Sequence, residues 1–307
     1  MQNTETTLDR RAMLASMGAL ALGGLRCAPA MAAPLHMRTI PATGEALPAI
    51  GMGSWITFNV GEDPALRAER TKVLEAFFAR GGTFIDSSPM YGSSEAVIGH
   101  CLDALDRPPT FAATKVWTWL TMNGPDQMET SRGLWGVDRF DLMQIHNLLS
   151  WEGHLETLRE DKAEGRIRYI GMTTSHGRRH DELEAIMESE ALDFVQLTYN
   201  VADRWAEERL LPLAAERGIA VIVNRPFRGG GLFDALARFP LPGWADEIEA
   251  ANWAQIFLKF IVSHPAVTCA IPATSRVDHM HENMGALTDA LPDAGLRRRM
   301  IRDIEAL

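Results

Sequence analysis

Eight short apolar runs recur along this chain, at 49–54, 83–87, 110–116, 140–145, 167–172, 194–198, 219–224 and 267–271, with amphipathic stretches between them. Runs of five to seven residues suit strands covered on both faces better than buried helices, and the intervening stretches supply the crossovers that parallel strands need. Glycine closes several of those stretches: Glu69 to Arg80 runs into Gly81-Gly82, Leu155 to Glu164 into Gly165, and Ala206 to Arg217 into Gly218. Eight parallel strands close a barrel, and none of these runs leads into the GxGxxG turn of an open dinucleotide-binding sheet. The expected fold is α/β, a (β/α)8 barrel of the TIM type. Ahead of it, Met37-Arg38-Thr39-Ile40 and Glu45-Ala46-Leu47 flank the turn-rich Pro41 to Gly44, which predicts a short N-terminal hairpin capping the barrel.

Charge and cysteine content narrow the possible partners. The 307 residues carry 30 Lys and Arg against 40 Asp and Glu, with no basic cluster to follow a phosphate backbone, so nucleic acid is not an expected ligand. Cys27, Cys101 and Cys269 form no CxxC and no Cys/His cluster, so neither a disulfide framework nor a metal site is expected. The first 33 residues are of another kind. Arg10-Arg11 precede a run of small and apolar residues from Ala12 to Leu25, and Ala30-Met31-Ala32 offers a cleavage site. This reads as a twin-arginine signal peptide at 1–33, implying the Tat translocation machinery as a partner and a periplasmic or exported location, with the barrel at 34–307. The apolar run falls short of the roughly 20 residues of a stable membrane span. A retained N-terminal anchor is the alternative.

In barrels of this type the chemistry gathers at the carboxyl ends of the strands. The second run ends in Thr83-Phe84-Ile85-Asp86-Ser87-Ser88-Pro89-Met90-Tyr91-Gly92, followed by Ser94-Glu95. The third ends in Thr114-Lys115 and the fourth in Gln144-Ile145-His146. Asp86, Tyr91, Lys115 and His146 can therefore meet in one pocket. Singly, each has a plainer reading: a loop cap for Tyr91, a structural ion pair for Asp86 and Lys115, a satisfied core histidine for His146.

These segments, in this order, resemble the aldo-keto reductase family, whose second strand reads FID-x-[SA]-x-x-YG-x-SE, third TK and fourth QIH. The likeness continues through Gly165 to Gly171, Gln196 to Asn200 and Ile271 to Ser275, with Glu282-Asn283 behind. It implies reduction of an aldehyde or ketone carbonyl, or the reverse oxidation of an alcohol, with a nicotinamide cofactor. The chemistry fits the residue types. Hydride addition to a carbonyl carbon builds charge on oxygen, which must then receive a proton. Tyr91 can give it if Lys115 lowers the phenol from its usual pKa of about 10. Asp86 would hold Lys115 charged, and a neutral His146 can orient the substrate oxygen by a hydrogen bond.

The resemblance also implies a cofactor site, with departures. Thr173 and Thr174 stand where relatives carry a Ser-Asn pair on the nicotinamide amide, and Gln196 is in register for the same group. Asn224-Arg225-Pro226-Phe227 stands where many relatives place an aromatic residue that stacks on the nicotinamide, which Asn224 cannot do. The glycine-rich run ending in Gly231-Leu232 can approach the pyrophosphate or be an ordinary loop. Ser275 and Arg276 imply a 2′-phosphate, hence NADP in preference to NAD, and Glu282 and Asn283 an adenine contact. Trp55 and Trp117, with Trp119, would form an apolar wall for the substrate or else belong to the core. Two other functions fit parts of the pattern: a cofactor-binding redox sensor or accessory protein with little turnover, and a lyase using Lys115 as a Schiff base.

Overall fold

The computed structural model describes residues 34–307, so the leader read at 1–33 lies outside the described residues. Strands β1 (Met37–Thr39) and β2 (Ala46–Pro48) pair antiparallel as the expected hairpin. The eight strands that follow are β3 (Met52–Gly53), β4 (Phe84–Asp86), β5 (Phe111–Val116), β6 (Phe140–Ile145), β7 (Ile167–Thr173), β8 (Phe194–Thr198), β9 (Ala220–Asn224) and β10 (Cys269–Ala270). All pair parallel with their chain neighbours. Around them run α1 (Pro64–Ala79), α2 (Ser94–Ala104), α3 (Gly124–Trp135), α4 (Trp151–Ala163), α5 (His180–Ser189), α6 (Leu210–Arg217), α7 (Gly231–Leu236), α8 (Trp253–Val262), α9 (Val277–Met284) and α10 (Ala294–Glu305). This is the expected (β/α)8 barrel. Among the described residues no helix is long and apolar enough to cross a membrane.

The first and last strands are much shorter than the runs that announced them. They meet at the seam through single bridges, Ile50 facing Ala270 and Gly53 facing Ala273. Gly51 and Gly53 donate to the carbonyls of Ala270 and Pro272 at 2.9 and 3.1 Å. Pro272 has no N–H to return, so a regular ladder stops there. A Cβ on Gly51 would stand 2.8 Å from the Phe84 carbonyl oxygen, which is why the seam needs glycine at that point.

Three helix starts differ from the expected ones: α4 begins at Trp151 rather than Leu155, and two others moved for identifiable local reasons. Helix α1 starts five residues before the expected Glu69, because Asp63 accepts from Ala65 N and Leu66 N and Pro64 occupies its first position. The stretch expected from Ala206 begins instead as a 3-10 turn, Trp205–Glu207, and α6 restarts at Leu210. Pro212 is tolerated only in a first turn, which fixes that restart.

Alternation along the strands builds two apolar layers. Outward residues such as Ile85, Met143, Ile170, Val195 and Val221 pack under the helices. Inward residues Phe84, Phe111, Leu142, Tyr169, Phe194, Ile222 and Cys269 fill the barrel with Ile40 and Leu47 of the hairpin. The Tyr169 hydroxyl donates to Glu45 at 2.6 Å and lies 2.8 Å from Thr43 Oγ1, latching the hairpin across that end. One end of the barrel is therefore sealed, and polar chemistry is left to the other.

Candidate active site

The period of two that buries Phe84, Phe111, Leu142 and Phe194 carries each strand on to a polar inward residue at its carboxyl end. These are Asp86 on β4, Lys115 on β5, Gln144 on β6 and Gln196 on β8, all buried. Lys115 Nζ donates to Asp86 Oδ2 at 2.5 Å and to the Ser87 carbonyl at 2.7 Å. The other Asp86 oxygen accepts from Gln144 Nε2 at 2.8 Å and from Gln196 Nε2 at 3.0 Å. Burial draws the Lys115 pKa down from the ordinary lysine value, and the Asp86 and Glu95 carboxylates oppose it.

Tyr91 ends the 3-10 turn Pro89–Tyr91 that follows β4. Its ring centre lies 5.3 Å from Lys115 Nζ and 5.7 Å from the His146 ring, edge to face. Gly92 has φ +62, and a Cβ there would collide with Asn59 Oδ1, which accepts from Ser93 N at 2.9 Å. The Tyr-Gly pair is thus fitted against the loop after β3. Glu95 is scaffolding: buried, it accepts from Thr114 at 2.6 Å, Ser131 at 2.9 Å and Trp135 at 3.3 Å, tying α2 to β5 and α3.

The expected lowering of the Tyr91 pKa is not what the geometry gives. Burial, and then the Asp86 carboxylate, push the phenol well above its usual value. Lys115 is committed to Asp86 and Ser87, so its charge is largely neutralised where the phenol would feel it. His146 behaves as expected of a neutral imidazole. Burial, helped by the Lys115 ammonium, pushes its pKa down to about 3. Its Nδ1 lies 2.8 Å from Ser88 Oγ, and that oxygen already accepts from Met90 N at 3.2 Å. A Ser88 hydroxyl that donates to Nδ1 while accepting from Met90 N makes Nε2 the N–H donor, and this is the tautomer assigned to His146.

Past His146 the backbone turns left-handed at Asn147, Leu148 and Ser150, with φ of 53, 55 and 46. Non-glycine residues hold such angles at a cost on the order of 1 kcal/mol each. Asn147 is fastened by donating its N–H to Thr173 Oγ1 at 2.9 Å and by accepting from Arg179 Nη1 at 2.6 Å.

A cavity of about 830 Å³ opens above these groups. Asp86, Tyr91, His146, Thr173, Thr174, Gln196, Asn224, Arg225, Pro226, Phe227, Trp55 and Trp117 all line it. Thr174 Oγ1 is buried and has no hydrogen-bond partner among the described residues. Asn224 accepts from Thr198 Oγ1 at 2.7 Å and donates to the Thr174 carbonyl at 2.8 Å, so its amide ties three strand ends together. Trp55, Trp117 and Trp119 are exposed at the mouth and do not belong to the core. In the glycine-rich run it is Gly229 and Gly230, with Phe233, that face the cavity; Gly231 begins α7 and Leu232 is turned into the core. Ser275 and Arg276 line a separate depression with Lys72 and His281, where Asp278 grips the Arg276 guanidinium through both carboxylate oxygens. Glu282 and Asn283 line neither; Asn283 is buried on α9 and Glu282 half-buried.

Ser88 and Gln144 were missing from the expected set. The Ser-Pro step at Ser88 signals a capped turn, and parity on β6 puts Gln144 on the face of Leu142 and His146. Both signals were present. Arg178 and Arg179, which also line the cavity, come from a loop with no comparable signal.

A barrel with these groups at its open end is the architecture of a carbonyl oxidoreductase, and comparison with known proteins agrees. The aldo/keto reductase family model matches residues 49–298, and the chain belongs to that family. It is similar to an NADH-specific methylglyoxal reductase of Escherichia coli (strain K12), with 28% identity across 88% of this chain and 100% of the relative. It is also similar to a probable aldo-keto reductase 1 of Glycine max, 24% identical across 81% of this chain and 83% of that protein. Among solved structures, an aldo/keto reductase from Klebsiella pneumoniae in complex with NADP and acetate superposes with a TM-score of 0.72, at 26% identity over 85% of this chain and 92% of the other.

The depressed His146 pKa has a direct spectroscopic consequence. Long-range 1H–15N correlation should show His146 as the neutral, Nε2-protonated tautomer from pH 5 to 8, because the group gains a proton only near pH 3. An imidazolium signal appearing near the ordinary pKa of about 6.5 would contradict the described burial.

Proposed function

We infer that this protein reduces aldehyde or ketone carbonyls with a nicotinamide cofactor, with Tyr91 as the proton donor. The observation that carries the reading is the meeting of Tyr91, a neutral His146 and Asp86 on one cavity, with Lys115 bonded to Asp86 behind the lining. A bound nicotinamide supplies the hydride. The unpartnered Thr174 hydroxyl suits a carboxamide at that depth, and Gln196 lies beside it. His146 Nε2–H fixes the carbonyl oxygen, and Tyr91 gives that oxygen its proton as negative charge builds there. A phenol with a raised pKa can still do this, because an alkoxide is a stronger base than a phenolate. The cost falls on the reverse reaction, which needs the phenolate. Lys115 does not line the cavity and is fully buried against Asp86, which speaks against a Schiff-base lyase.

We further propose NADPH over NADH. Arg276 shares its depression with Ser275, Lys72 and His281 and also with the carboxylates of Glu69 and Asp278, so Arg276 and Lys72 are the groups that would meet a 2′-phosphate there. Asp278 already occupies that guanidinium, so a phosphate must displace a carboxylate. Export by the twin-arginine route stays a proposal resting on Arg10-Arg11 and the apolar run behind them.

Four outcomes are expected. With a reactive aldehyde, Tyr91→Phe should lose at least about 1,000-fold in kcat while cofactor fluorescence titration shows binding retained. Wild-type reduction should not decline between pH 6 and 9, since the raised pKa keeps the phenol protonated there; substantial turnover in Tyr91→Phe sinks the assignment. Arg276→Ala should weaken NADPH binding about tenfold, the worth of one charged hydrogen-bond pair, and NADH binding far less; equal losses favour NAD. Replacing Arg10 and Arg11 together by Lys should leave the protein unprocessed inside the cell on fractionation. Processed, exported material from that variant would end the export proposal.

A further inference from the structure

At the cavity end of the seam between β3 and β10 the backbone ladder has stopped, and a side chain takes its place. Arg70 of α1 is buried, with only 8% of its surface exposed. Its Nε donates to the Thr57 carbonyl at 2.6 Å and its Nη1 to the Ser275 carbonyl at 3.1 Å. Thr57 belongs to the loop after β3 and Ser275 to the loop after β10, so one guanidinium joins the two loops on either side of the seam. A guanidinium holds its five N–H donors in one rigid plane, and two such bonds therefore fix the spacing of the two carbonyls. Glu69 Oε2 balances the charge from 3.6 Å.

Each loop held in this way faces a ligand space. Thr57 lines the main cavity, and its buried hydroxyl has no hydrogen-bond partner among the described residues. The residue before it, Ile56, has φ 64, a left-handed angle that a β-branched side chain keeps only under constraint. The Arg70 bond to the next carbonyl supplies such a constraint. Farther along the same loop, Asn59 Oδ1 accepts from Ser93 N and Ser93 Oγ at 2.9 and 3.0 Å, beside the Tyr91-Gly92 pair. Across the seam, Ser275 lines the depression proposed for the 2′-phosphate. Glu69 and Lys72, from the same turn of α1 as Arg70, line it too.

We propose that Arg70 is a positioning residue that sets the gap between these two loops, so that filling the depression with the adenosine half of the cofactor steadies the loop against which Tyr91 is fitted. This rests on the reading of the protein as an NADPH-dependent carbonyl reductase. Arg70 lines neither the cavity nor the depression, so its effect passes through the two carbonyls it holds. A lysine at this position keeps the charge and the aliphatic stem but offers a compact ammonium in place of the planar fork, and cannot fix both carbonyls at once.

The test uses the purified protein and its Arg70→Lys variant. With a reactive aldehyde and saturating NADPH, kcat per folded molecule should fall at least about tenfold in Arg70→Lys, on the scale of a reacting group set slightly out of place. Hydrogen exchange read by mass spectrometry reports the same link without turnover. In the wild type, adenosine 2′,5′-bisphosphate should slow exchange at least about fivefold both at residues 273–277 and at residues 54–61, the lower end of ordinary coupling between sites. In Arg70→Lys it should slow exchange at 273–277 alone. A brace that serves stability only would lower the Tm and leave kcat of the folded protein unchanged, and that result overturns the proposal. Protection confined to 273–277 in the wild type overturns it too, whether or not the variant folds. Protection of both segments that is lost at 54–61 in Arg70→Lys, in a protein that reduces no aldehyde, supports the link and defeats the reductase reading alone. Protection of neither segment overturns the link and the 2′-phosphate site together.

Discussion

The Lys115–Asp86 pair is the constraint on which the rest of the site depends. Two opposite charges sit inside the barrel, where removing each from water costs several kcal/mol, and the contact returns that only if every remaining donor and acceptor is satisfied. The satisfying groups come from β4, β6 and β8, so the pair dictates where those strand ends must stand. It also sets the character of its neighbours. The ammonium helps keep His146 neutral, and the carboxylate helps keep Tyr91 protonated. The two charges of one ion pair thus both favour the neutral, proton-donating forms of the groups above them.

Much of this was legible in the sequence because barrel strands are short and sharply bounded. All eight runs became strands, and Asp86, Tyr91, Lys115 and His146 converge as their positions at strand ends required. What escaped is instructive. The sign of the Tyr91 shift depends on how deeply the phenol is buried and on the Asp86 carboxylate near it, which no spacing encodes. The length of β3 and β10 depends on a bridge between opposite ends of the chain, invisible to a local window. In the glycine-rich run the residues facing the cavity fell one or two positions before those expected, since positive φ at Gly229 and Gly230 reverses the chain before α7 begins.

Asn224 shows how a departure from a family pattern can be absorbed. In place of a ring it presents an amide, and that amide joins Thr198, Thr174 and Gln196, the last of which reaches Asp86. The face that would carry a flat aromatic surface is instead continuous with the polar floor. Contact there is made by hydrogen-bonding groups of fixed direction, so geometry is imposed through angle more than through area.

The seam between β3 and β10 has a consequence for how the molecule comes into being. Its partners, Ile50 with Ala270 and Gly53 with Ala273, are separated by most of the chain. Every other strand can settle beside a predecessor already made, but closure must wait for the last strand and bears the entropy of the longest loop in the protein. Until then the nascent sheet has two open edges, of the kind that pair with other chains. The kinetic risk in synthesis is therefore concentrated at a few glycine- and proline-rich residues, and the cavity, which both edges help to wall, exists only once that gap has shut.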